Sequence, residues 1–349
     1  MRITRTSVVV AVIGVLLIVA AAVVRFAVVP SVTKLPDDLN TTQKYEGTYN
    51  GLNPAALAGG SSQLLLRNAP MTASRTYTVD STSGDTAVVK ETIQRALAGQ
   101  SQPKADTLYA VDRSTFESAP APSGTSGVSK SKGWIFTLPL HPSTDAKYTL
   151  WDAATQAAYP LTYTKTSTLD GRTVLQYQSV AKGTLADPAS LGLPTSITRP
   201  QVVALQPVLA SVLPPALLAQ LPALLGTLPA TIPVTYTSTT TSTVYADSVM
   251  GLPVKSGSTQ VITAGISLGS KIQVPFTTIK LTATDASVAS MADDASSKAS
   301  SLNLVETIVP IVLLVLGVIA LVIALVIARR AASGTTPEPR PEPRTPVSV

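Results

Sequence analysis

Residues 159–180, YPLTYTKTSTLDGRTVLQYQSV, carry the clearest structural signal in this chain of 349 residues. Apolar and polar side chains alternate on both sides of the pair Asp170-Gly171, and alternation with a period of two is typical of half-buried strands. Asp-Gly between two such runs is a strong hairpin signal, because both residues tolerate the backbone angles of a tight turn. The stretch therefore predicts two antiparallel strands, at 159–167 and 173–180.

Similar strand patterns lie on both sides of this hairpin. Residues 81–85 are a turn signal between two alternating runs, and residues 118–132, rich in Ser, Gly, Pro and Lys, predict a surface loop. Residues 285–306 have helical spacing and predict a polar juxtamembrane helix that leads into the second apolar segment, with Asp285 as a candidate cap. Further strands are predicted at 76–80, 86–92, 104–111, 134–138, 147–151, 231–245, 260–266 and 271–284. We expect a mainly β (α+β) fold, built as a large antiparallel β-rich domain with short apolar helices.

Two long apolar segments enclose this region. They are residues 8–29 and residues 308–328, and both are strongly apolar. A membrane-spanning helix needs roughly 20 mostly apolar residues, so the two segments predict N- and C-terminal transmembrane helices. The β-rich domain, 30–307, would then lie on one side of the membrane. For the first segment a cleaved signal peptide is the alternative, because Arg2 and Arg5 precede a short apolar run that ends near three alanines.

The charges beside the apolar segments predict their orientation. Positive residues near the ends of membrane spans favour the cytoplasm. Basic residues stand outside both segments: Arg2, Arg5, Arg329 and Arg330. We therefore expect a two-pass protein of the plasma (inner) membrane, with cytoplasmic termini at 1–7 and 329–349 and the bulk of the chain extracytoplasmic. The tail alternates proline with charged residues, which predicts a disordered segment that is either a solvated stub or a docking site.

The composition excludes several functions. The formal net charge is +6, but most of the excess lies in the terminal segments, so the central region is nearly neutral and no nucleic-acid-binding face is expected. The chain has no cysteine, which rules out disulfides, a thiol nucleophile and thiolate metal sites. The domain must therefore be held together by its own hydrophobic core.

Residues 188–233 form an apolar insert that is punctuated by proline. Because proline is tolerated in the first turn of a helix but breaks its interior, Pro215 and Pro222 would each begin a short helix. Such helices are too short to span a bilayer and too apolar to be solvated on all sides. They would be buried in the core, face the membrane or a lipid, or bind a partner. The candidate lipid-binding or membrane-facing residues are Val202, Leu205, Leu213, Leu217, Leu218, Leu221, Leu224, Leu225 and Leu228.

Motifs that would indicate catalysis are weak in this sequence. His141 is the one histidine and precedes a proline, without the Gly-x-Ser-x-Gly motif of a serine hydrolase. The carboxylate pairs at 37–38 and 293–294 lie near the predicted spans, where solvated or capping roles are favoured. The sequence has neither a phosphate-binding loop nor a dinucleotide fingerprint. We expect a protein that is not an enzyme and has no catalytic residue, metal or cofactor.

Several short motifs resemble a known family. They are Tyr45-x-Gly47-x-Tyr49, Val111-Asp112-Arg113, Trp134-x-Phe136, Tyr148-x-x-Trp151-Asp152, Tyr159-Pro160, the hairpin from Leu169 to Tyr177, and the turn from Asp247 to Pro253. With the two terminal spans, they resemble the actinobacterial two-span envelope family of unknown function that is often labelled PorA-family porins. The resemblance implies a location in the envelope of a mycolic-acid bacterium. The architecture is also similar to that of class B scavenger receptors, which implies that the apolar insert could be a cap or a mouth.

Three functional hypotheses follow. The first is a non-enzymatic, membrane-anchored cell-envelope protein that binds or guides a lipid or apolar envelope component through its extracytoplasmic domain. The second is a structural scaffold that binds protein partners through that domain or the tail. The third is a PorA-like channel-forming protein. Membrane lipids are the expected partners in the first hypothesis, and nucleic acid is expected in none.

Overall fold

The computed structural model describes residues 5–53, 63, 65–191, 193–204, 215, 219, 223, 226, 229–268 and 270–333. The chain divides into two compact units. One is Leu35–Ala299, which we call the sheet unit, and the other combines Met1–Lys34 with Ser300–Val349, which we call the helix unit.

The described part of the sheet unit contains thirteen strands. They are β1 (Asn40–Leu52), β2 (Leu65–Ser83), β3 (Thr86–Leu97), β4 (Gln100–Ser101), β5 (Ala105–Asp112), β6 (Val128–Ser129), β7 (Tyr148–Asp152), β8 (Ala157–Leu169), β9 (Arg172–Thr184), β10 (Ser196–Thr198), β11 (Thr231–Asp247), β12 (Pro253–Leu268) and β13 (Ser270–Ala283). The mainly β expectation is therefore confirmed.

These strands form one sheet that curls into a half-barrel. Its order is β6-β5-β3-β2-β1-β13-β12-β11-β9-β8-β7, with β4 beside β3 and β10 beside β11. Neighbours are antiparallel, except for the parallel pair β5 and β6. Three isolated bridges, Val111–Ser118, Glu117–Trp134 and Trp134–Leu150, lead from β5 to β7. The two sides of the half-barrel are thus linked through irregular chain rather than through a continuous ladder.

The hairpin signals in the sequence are confirmed. Strands β8 and β9 are joined by Asp170 and Gly171, with φ angles of 44° and 75°. A second two-residue turn joins β2 to β3 within the predicted 81–85 segment. In both cases the turn residues fix the hairpin locally, because a positive φ is accessible to Gly, as at Gly84 and Gly171, and tolerated by Asp, as at Asp170.

The strand predicted at 134–138 is wrong. Trp134 and Leu138 are buried as expected, but this segment contributes one isolated bridge and is otherwise irregular. Its hydrogen bonds explain why: the Trp134 N–H donates to the Thr149 carbonyl at 2.9 Å, whereas the Leu138 N–H donates to the Gly251 carbonyl at 3.1 Å. The two ends bind different neighbours, so no ladder can form between them. We call residues 134–138 the crossing segment.

The sheet is completed by β1, a strand that the alternation pattern did not predict. It lies between β2 and β13, with Tyr45 opposite Ala283 and Gly47 opposite Leu281. A Cβ atom on Gly47 would collide with the backbone carbonyl of Lys280, so only glycine fits where these strands approach. The glycine of the Tyr-x-Gly-x-Tyr motif thus has a packing role.

A helix that packs on the sheet begins directly after β13. Helix α4 (Asp285–Asn303) follows α1 (Arg5–Val23), α2 (Val29–Val32) and α3 (Arg199–Ala204) in chain order. Its cap is Thr284 rather than Asp285, because the Thr284 Oγ1 accepts the Ser287 N–H at 3.2 Å. Asp285 stands in the first turn, where a negative charge favours the helix dipole. The side chains of Val288, Ala292 and Ala295 pack on Val174, Val254 and Ala283 of the sheet.

In the helix unit, α1 packs against α5 (Val309–Ser333). The helices meet at Gly14 and Gly317, where a Cβ on either glycine would lie within 2.9 Å of the other's carbonyl oxygen. Buried small residues continue this seam at seven-residue spacing on α1: Ser7, Gly14 and Ala21. Small residues allow such close backbone approach in membrane helices. Both helical segments, Arg5–Val32 and Asp285–Arg330, are long and apolar enough to cross a membrane, which is consistent with a membrane-anchored protein.

Both helical segments contain one wide turn of π-helix, at Val24–Val28 and Leu304–Ile308. Each turn is followed by Val-Pro, at 29–30 and 309–310. Proline lacks an N–H and its ring collides with the carbonyl four residues earlier, and a wider turn accommodates both effects. The Arg25 Nη1 lies 3.4 Å from the Glu306 Oε1. Together with the Gly14–Gly317 contact, this pair shows that α1 and α5 are antiparallel.

Candidate functional site: a cavity within the curled sheet

The apolar residues proposed from the sequence fall largely outside the described residues. Val202 is described: it lies in α3, is 2% exposed, and belongs to a core cluster with Ile197, Ile232 and Tyr236. This position therefore corresponds to the core alternative. The remaining candidates lie outside the described residues, namely Leu205, Leu213, Leu217, Leu218, Leu221, Leu224, Leu225 and Leu228.

A cavity of about 160 Å³ lies within the sheet unit, between the strands and the crossing segment. One part of its lining is apolar and comes from Ile93, Trp134, Ile135, Phe136, Leu138, Leu150, Leu161, Val244 and Leu281. The other part is polar or basic and comes from Gln43, Tyr45, Arg75, Tyr77, Arg95, Thr137, Ser242, Thr243, Ser256 and Ser258. The cavity thus offers both apolar contact and hydrogen-bonding groups to a ligand.

The strand register determines which residues lie beside the two arginines. Arg75 lies opposite Gln43 on one neighbouring strand and Ile93 on the other. Arg95 lies opposite Ala73. Because directly opposed residues point to the same face of a sheet, the short side chain of Ala73 leaves space beside the Arg95 guanidinium. Ser242 and Ser258 are likewise opposed on β11 and β12 and widen the cavity.

Arg75 is held by a buried carboxylate. Its Nε lies 3.2 Å from the Oε1 of Glu91, whose side chain is 8% exposed, while the Arg75 side chain is 44% exposed. The Tyr77 hydroxyl donates to the same oxygen at 2.7 Å, and the Tyr77 ring stacks on Phe136 with centroids 4.8 Å apart. Burial first, and the charge of Glu91 second, raise the pKa of Tyr77 well above its ordinary value. Tyr77 is therefore a neutral hydrogen-bond donor here.

Arg95 is the second cation of the cavity and is half-buried. Within the described residues, no carboxylate lies within 4.0 Å of its guanidinium. Burial, and then the charge of Arg75, lower the pKa of Arg95, while Glu91 acts in the opposite direction. Among the described residues, the site therefore places two guanidinium groups against one carboxylate, which leaves an excess of positive charge.

A hydrogen-bonded group fixes another part of the wall. The hydroxyls of Tyr45 and Ser256 both donate to the Gln43 Oε1, the latter at 2.9 Å. The Gln43 Nε2 donates to the Pro253 carbonyl at 3.1 Å. Because both ends of this buried amide are engaged, Gln43 is held in one orientation. These groups act as a rigid polar surface between the sheet and the turn that precedes β12.

The turn between β11 and β12 supports the crossing segment. The Thr137 hydroxyl and the Leu138 N–H both donate to the Gly251 carbonyl, each at 3.1 Å. Gly251 has a φ of 67°, and a Cβ there would collide with the carbonyls of Leu138 and Pro139. The turn therefore requires glycine, and it positions the apolar wall of the cavity.

The turn is itself held by an ion pair whose carboxylate is fully buried and hydrogen-bonded, and we call it the closed pair. Asp247 is fully buried, and Arg172 donates two hydrogen bonds to its carboxylate at 2.8 and 3.0 Å. The N–H groups of Val249 and Met250 also donate to Asp247, at 2.9 and 2.8 Å. Burial alone would raise the pKa of Asp247, but the bonds from Arg172, Met250 and Val249 outweigh it and lower the pKa.

The other titratable candidates lie apart from the cavity. The His141 N–H donates to the Val249 carbonyl at 2.8 Å, so its backbone is part of the turn contact. Asp37 is exposed and pairs with Arg113, and the carboxylates of Asp293 and Asp294 are exposed on α4. Among the described residues, no group of three or more His, Asp or Glu side chains is arranged to hold a metal ion.

Sequence reasoning missed Arg75 and Arg95. The available signal was an arginine at an inward position of an alternating strand, as in Ala73-x-Arg75-x-Tyr77 and Ile93-x-Arg95. Alternation alone predicts that such a position is apolar, so a charge there indicates a cavity or a partner. Nothing local indicates which residues the two arginines meet, because this depends on the register of three strands.

Comparison with known proteins identifies the family. No curated protein sequence matches the chain. The family model described as Porin PorA matches residues 6–326, which cover the sheet unit and most of both apolar helices. The resemblance found in the Tyr-x-Gly-x-Tyr and Trp-Asp motifs is confirmed, and the chain belongs to the PorA porin family.

Proposed function

We propose that this protein is a non-enzymatic, membrane-anchored cell-envelope protein whose sheet unit binds an amphiphilic envelope component. The observation that carries the proposal is the cavity, which joins the apolar side chains of Phe136, Leu150 and Leu161 to a wall containing Arg75 and Arg95. Ligand sites typically combine apolar contact with a few convergent polar groups. An amphiphile matches both parts of this lining.

The size of the cavity limits which part of the ligand it holds. A volume of about 160 Å³ is close to the roughly 150 Å³ of an engineered apolar cavity that binds benzene. It therefore accommodates a head group with a few carbons, and a longer acyl chain would extend outside. Each methylene removed from water contributes about 0.8 kcal/mol, so a short apolar segment adds substantially to affinity.

The proposed location is the plasma membrane, with two spans and both termini cytoplasmic. The antiparallel packing of α1 and α5 supports this arrangement, since two antiparallel spans return the chain to the side from which it started. Basic flanks outside both spans support the assignment of that side to the cytoplasm. The sheet unit would then face the extracytoplasmic space.

Lipid co-purification tests the proposal. The full-length protein is purified in mild detergent, examined by native mass spectrometry, and extracted for lipid analysis. Two variants, Ala73→Leu and Ser258→Leu, fill the cavity, and Ser74→Leu is the matched control because it points to the opposite face of β2. We expect a defined envelope lipid to co-purify with the wild type and with Ser74→Leu. We expect both cavity variants to lose this lipid while their melting temperatures stay equal to that of the wild type. Absence of lipid from the wild type, or equal retention by all variants, overturns the proposal.

Membership of the PorA porin family favours a second candidate, a channel. Conductance of purified full-length protein in planar bilayers tests it directly. The described spanning helices carry apolar side chains over most of their surface, as in the sequence VPIVLLVLGVIALVIALVIA of α5. A water-filled pore requires a polar lining, so any conductance would depend on groups other than this stretch of α5. Reproducible single-channel steps would support the channel, and their absence would count against it.

A further inference from the structure

We propose that the cavity recognises an anionic head group, either a carboxylate or a phosphate, and that Arg95 is the residue that binds it. This inference rests on the proposed function and names the chemical class of its ligand. The charge of the site is its basis. The described lining contains the two guanidinium groups of Arg75 and Arg95 and no carboxylate, and Glu91 behind Arg75 offsets one of them. Among the described residues, one positive charge is therefore left without a carboxylate partner.

The surroundings make that charge effective. Ile93 and Leu281 line the same cavity, and Ala73 opposite Arg95 is too short to cover the guanidinium. Water is partly excluded from such a place, so an uncompensated cation is unfavourable and an incoming anion is attracted more strongly than at an open surface. An anion at Arg95 would complete the pairing that Glu91 provides for Arg75.

The two arginines differ in how many donors they offer. The Nε of Arg75 already faces Glu91, which orients that side chain. Arg95 has no such carboxylate among the described residues, so its planar fork of N–H groups is available. A guanidinium fork matches the two oxygens of a carboxylate or phosphate and binds them through parallel hydrogen bonds. Arg95 is therefore the primary contact, and Arg75 a second cation that steers the same anion.

Short soluble probes separate this inference from the proposed function. Calorimetric titration of the delipidated full-length protein uses hexanoate, hexyl phosphate, hexanol and inorganic phosphate. Hexanol keeps the alkyl chain without the charge, and inorganic phosphate keeps the charge without the chain. We expect hexanoate and hexyl phosphate to bind, with hexanol weaker by about tenfold or more, since a charge-assisted pair of hydrogen bonds is lost.

Arg95 variants test the assigned residue. Arg95→Gln removes the charge, Arg95→Lys keeps the charge but loses the fork, and Arg67→Gln is a matched control on an exposed position of the same sheet. We expect Arg95→Gln to weaken both anionic probes by about tenfold and to leave hexanol unchanged, Arg95→Lys to be intermediate, and Arg67→Gln to bind as the wild type does. Melting temperatures of all three variants identify any loss of folding.

The outcomes are distinguishable. If hexanol binds as tightly as hexanoate, or Arg95→Gln binds anions normally, the anion inference is overturned while the amphiphile proposal stands. If inorganic phosphate binds and none of the alkyl probes binds more tightly, the anion site stands and a lipid source for the anion is overturned. If no probe binds to folded protein, both are overturned.

Discussion

Two arginine–carboxylate contacts in the sheet unit differ in how completely their charged groups are buried and hydrogen-bonded. At the turn, Asp247 is fully buried and receives four hydrogen bonds, two of them from Arg172. Beside the cavity, Glu91 receives Arg75 and Tyr77, while the second cation, Arg95, has no carboxylate within 4.0 Å among the described residues. The first arrangement has no capacity left for a ligand and stabilises the fold. The second has surplus charge facing a cavity, which is what a binding site requires.

The largest expected effect concerns the closed pair. Asp247→Asn leaves the half-buried Arg172 without its counter-charge, and breaking a pair whose carboxylate is fully buried costs about 3–5 kcal/mol. We expect the free energy of unfolding of the sheet unit to fall by that amount, measured by urea denaturation followed through tryptophan fluorescence. Asp106→Asn, which alters an exposed pair with Lys104, serves as control and should change little. A stable Asp247→Asn protein would show that the turn is held by other contacts.

The pH dependence of stability should arise from the same residue. The pKa of Asp247 is lowered in the folded state from its ordinary value of 3.8. Its contribution is therefore fully present above pH 3.8 and is lost as the pH falls through the lowered pKa. We expect the wild-type midpoint of urea unfolding to drop in that acidic window, and the Asp247→Asn midpoint to change less. Parallel profiles for the two proteins would contradict this assignment.

An intermediate effect is expected at the open contact. Glu91→Gln keeps a hydrogen-bond acceptor for Tyr77 but removes the carboxylate that pairs with Arg75, which is itself partly exposed. We expect a loss of about 1–2 kcal/mol of unfolding free energy, together with tighter binding of hexanoate, because neither arginine then has a carboxylate partner among the described residues. Weaker binding of hexanoate to a folded Glu91→Gln protein would show that Glu91 orients the site rather than limiting its charge.

The smallest effect is expected at the pair in the helix unit. Arg25 and Glu306 are 49% and 30% exposed and lie 3.4 Å apart, so their interaction is screened. Arg25→Gln should lower the unfolding free energy by less than about 1 kcal/mol, as surface pairs generally do. Thermal unfolding of the full-length protein in detergent provides the measurement. A loss of unfolding free energy as large as that of Asp247→Asn would show that this pair stabilises the fold as strongly as the pair of Arg172 and Asp247 does.

Local features of the fold were predictable from the sequence, whereas the site was not. Asp170-Gly171 determines its hairpin within a few residues, and the run from 271 to 284 alternates clearly enough to be recognised as a strand. Strand β1 was missed because its inward side chains, Gln43 and Tyr45, are polar, which removes the expected apolar alternation. The polar residues that obscure this strand are the same ones that line the cavity.

The crossing segment has the sequence of a strand without being one, for a related reason. Its apolar composition predicts burial, and burial is what the structure has at Trp134 and Leu138. Whether a buried segment becomes a strand depends on a partner with a continuous ladder, and here the partners are Thr149 at one end and Gly251 at the other. Such partners are distant in sequence, so alternation cannot reveal them.

The pairing of β1 with β13 has a consequence for biogenesis. Tyr45 lies opposite Ala283, so the first long strand to be synthesised is completed by the last. Until β13 has been translated and has reached the same compartment, one edge of β1 presents unpaired N–H and C=O groups, which invite association with other chains. Because contacts so distant in sequence form slowly, the nascent sheet unit needs protection over nearly its whole period of synthesis. A truncation just before β13 should therefore produce an aggregating chain rather than a smaller stable domain.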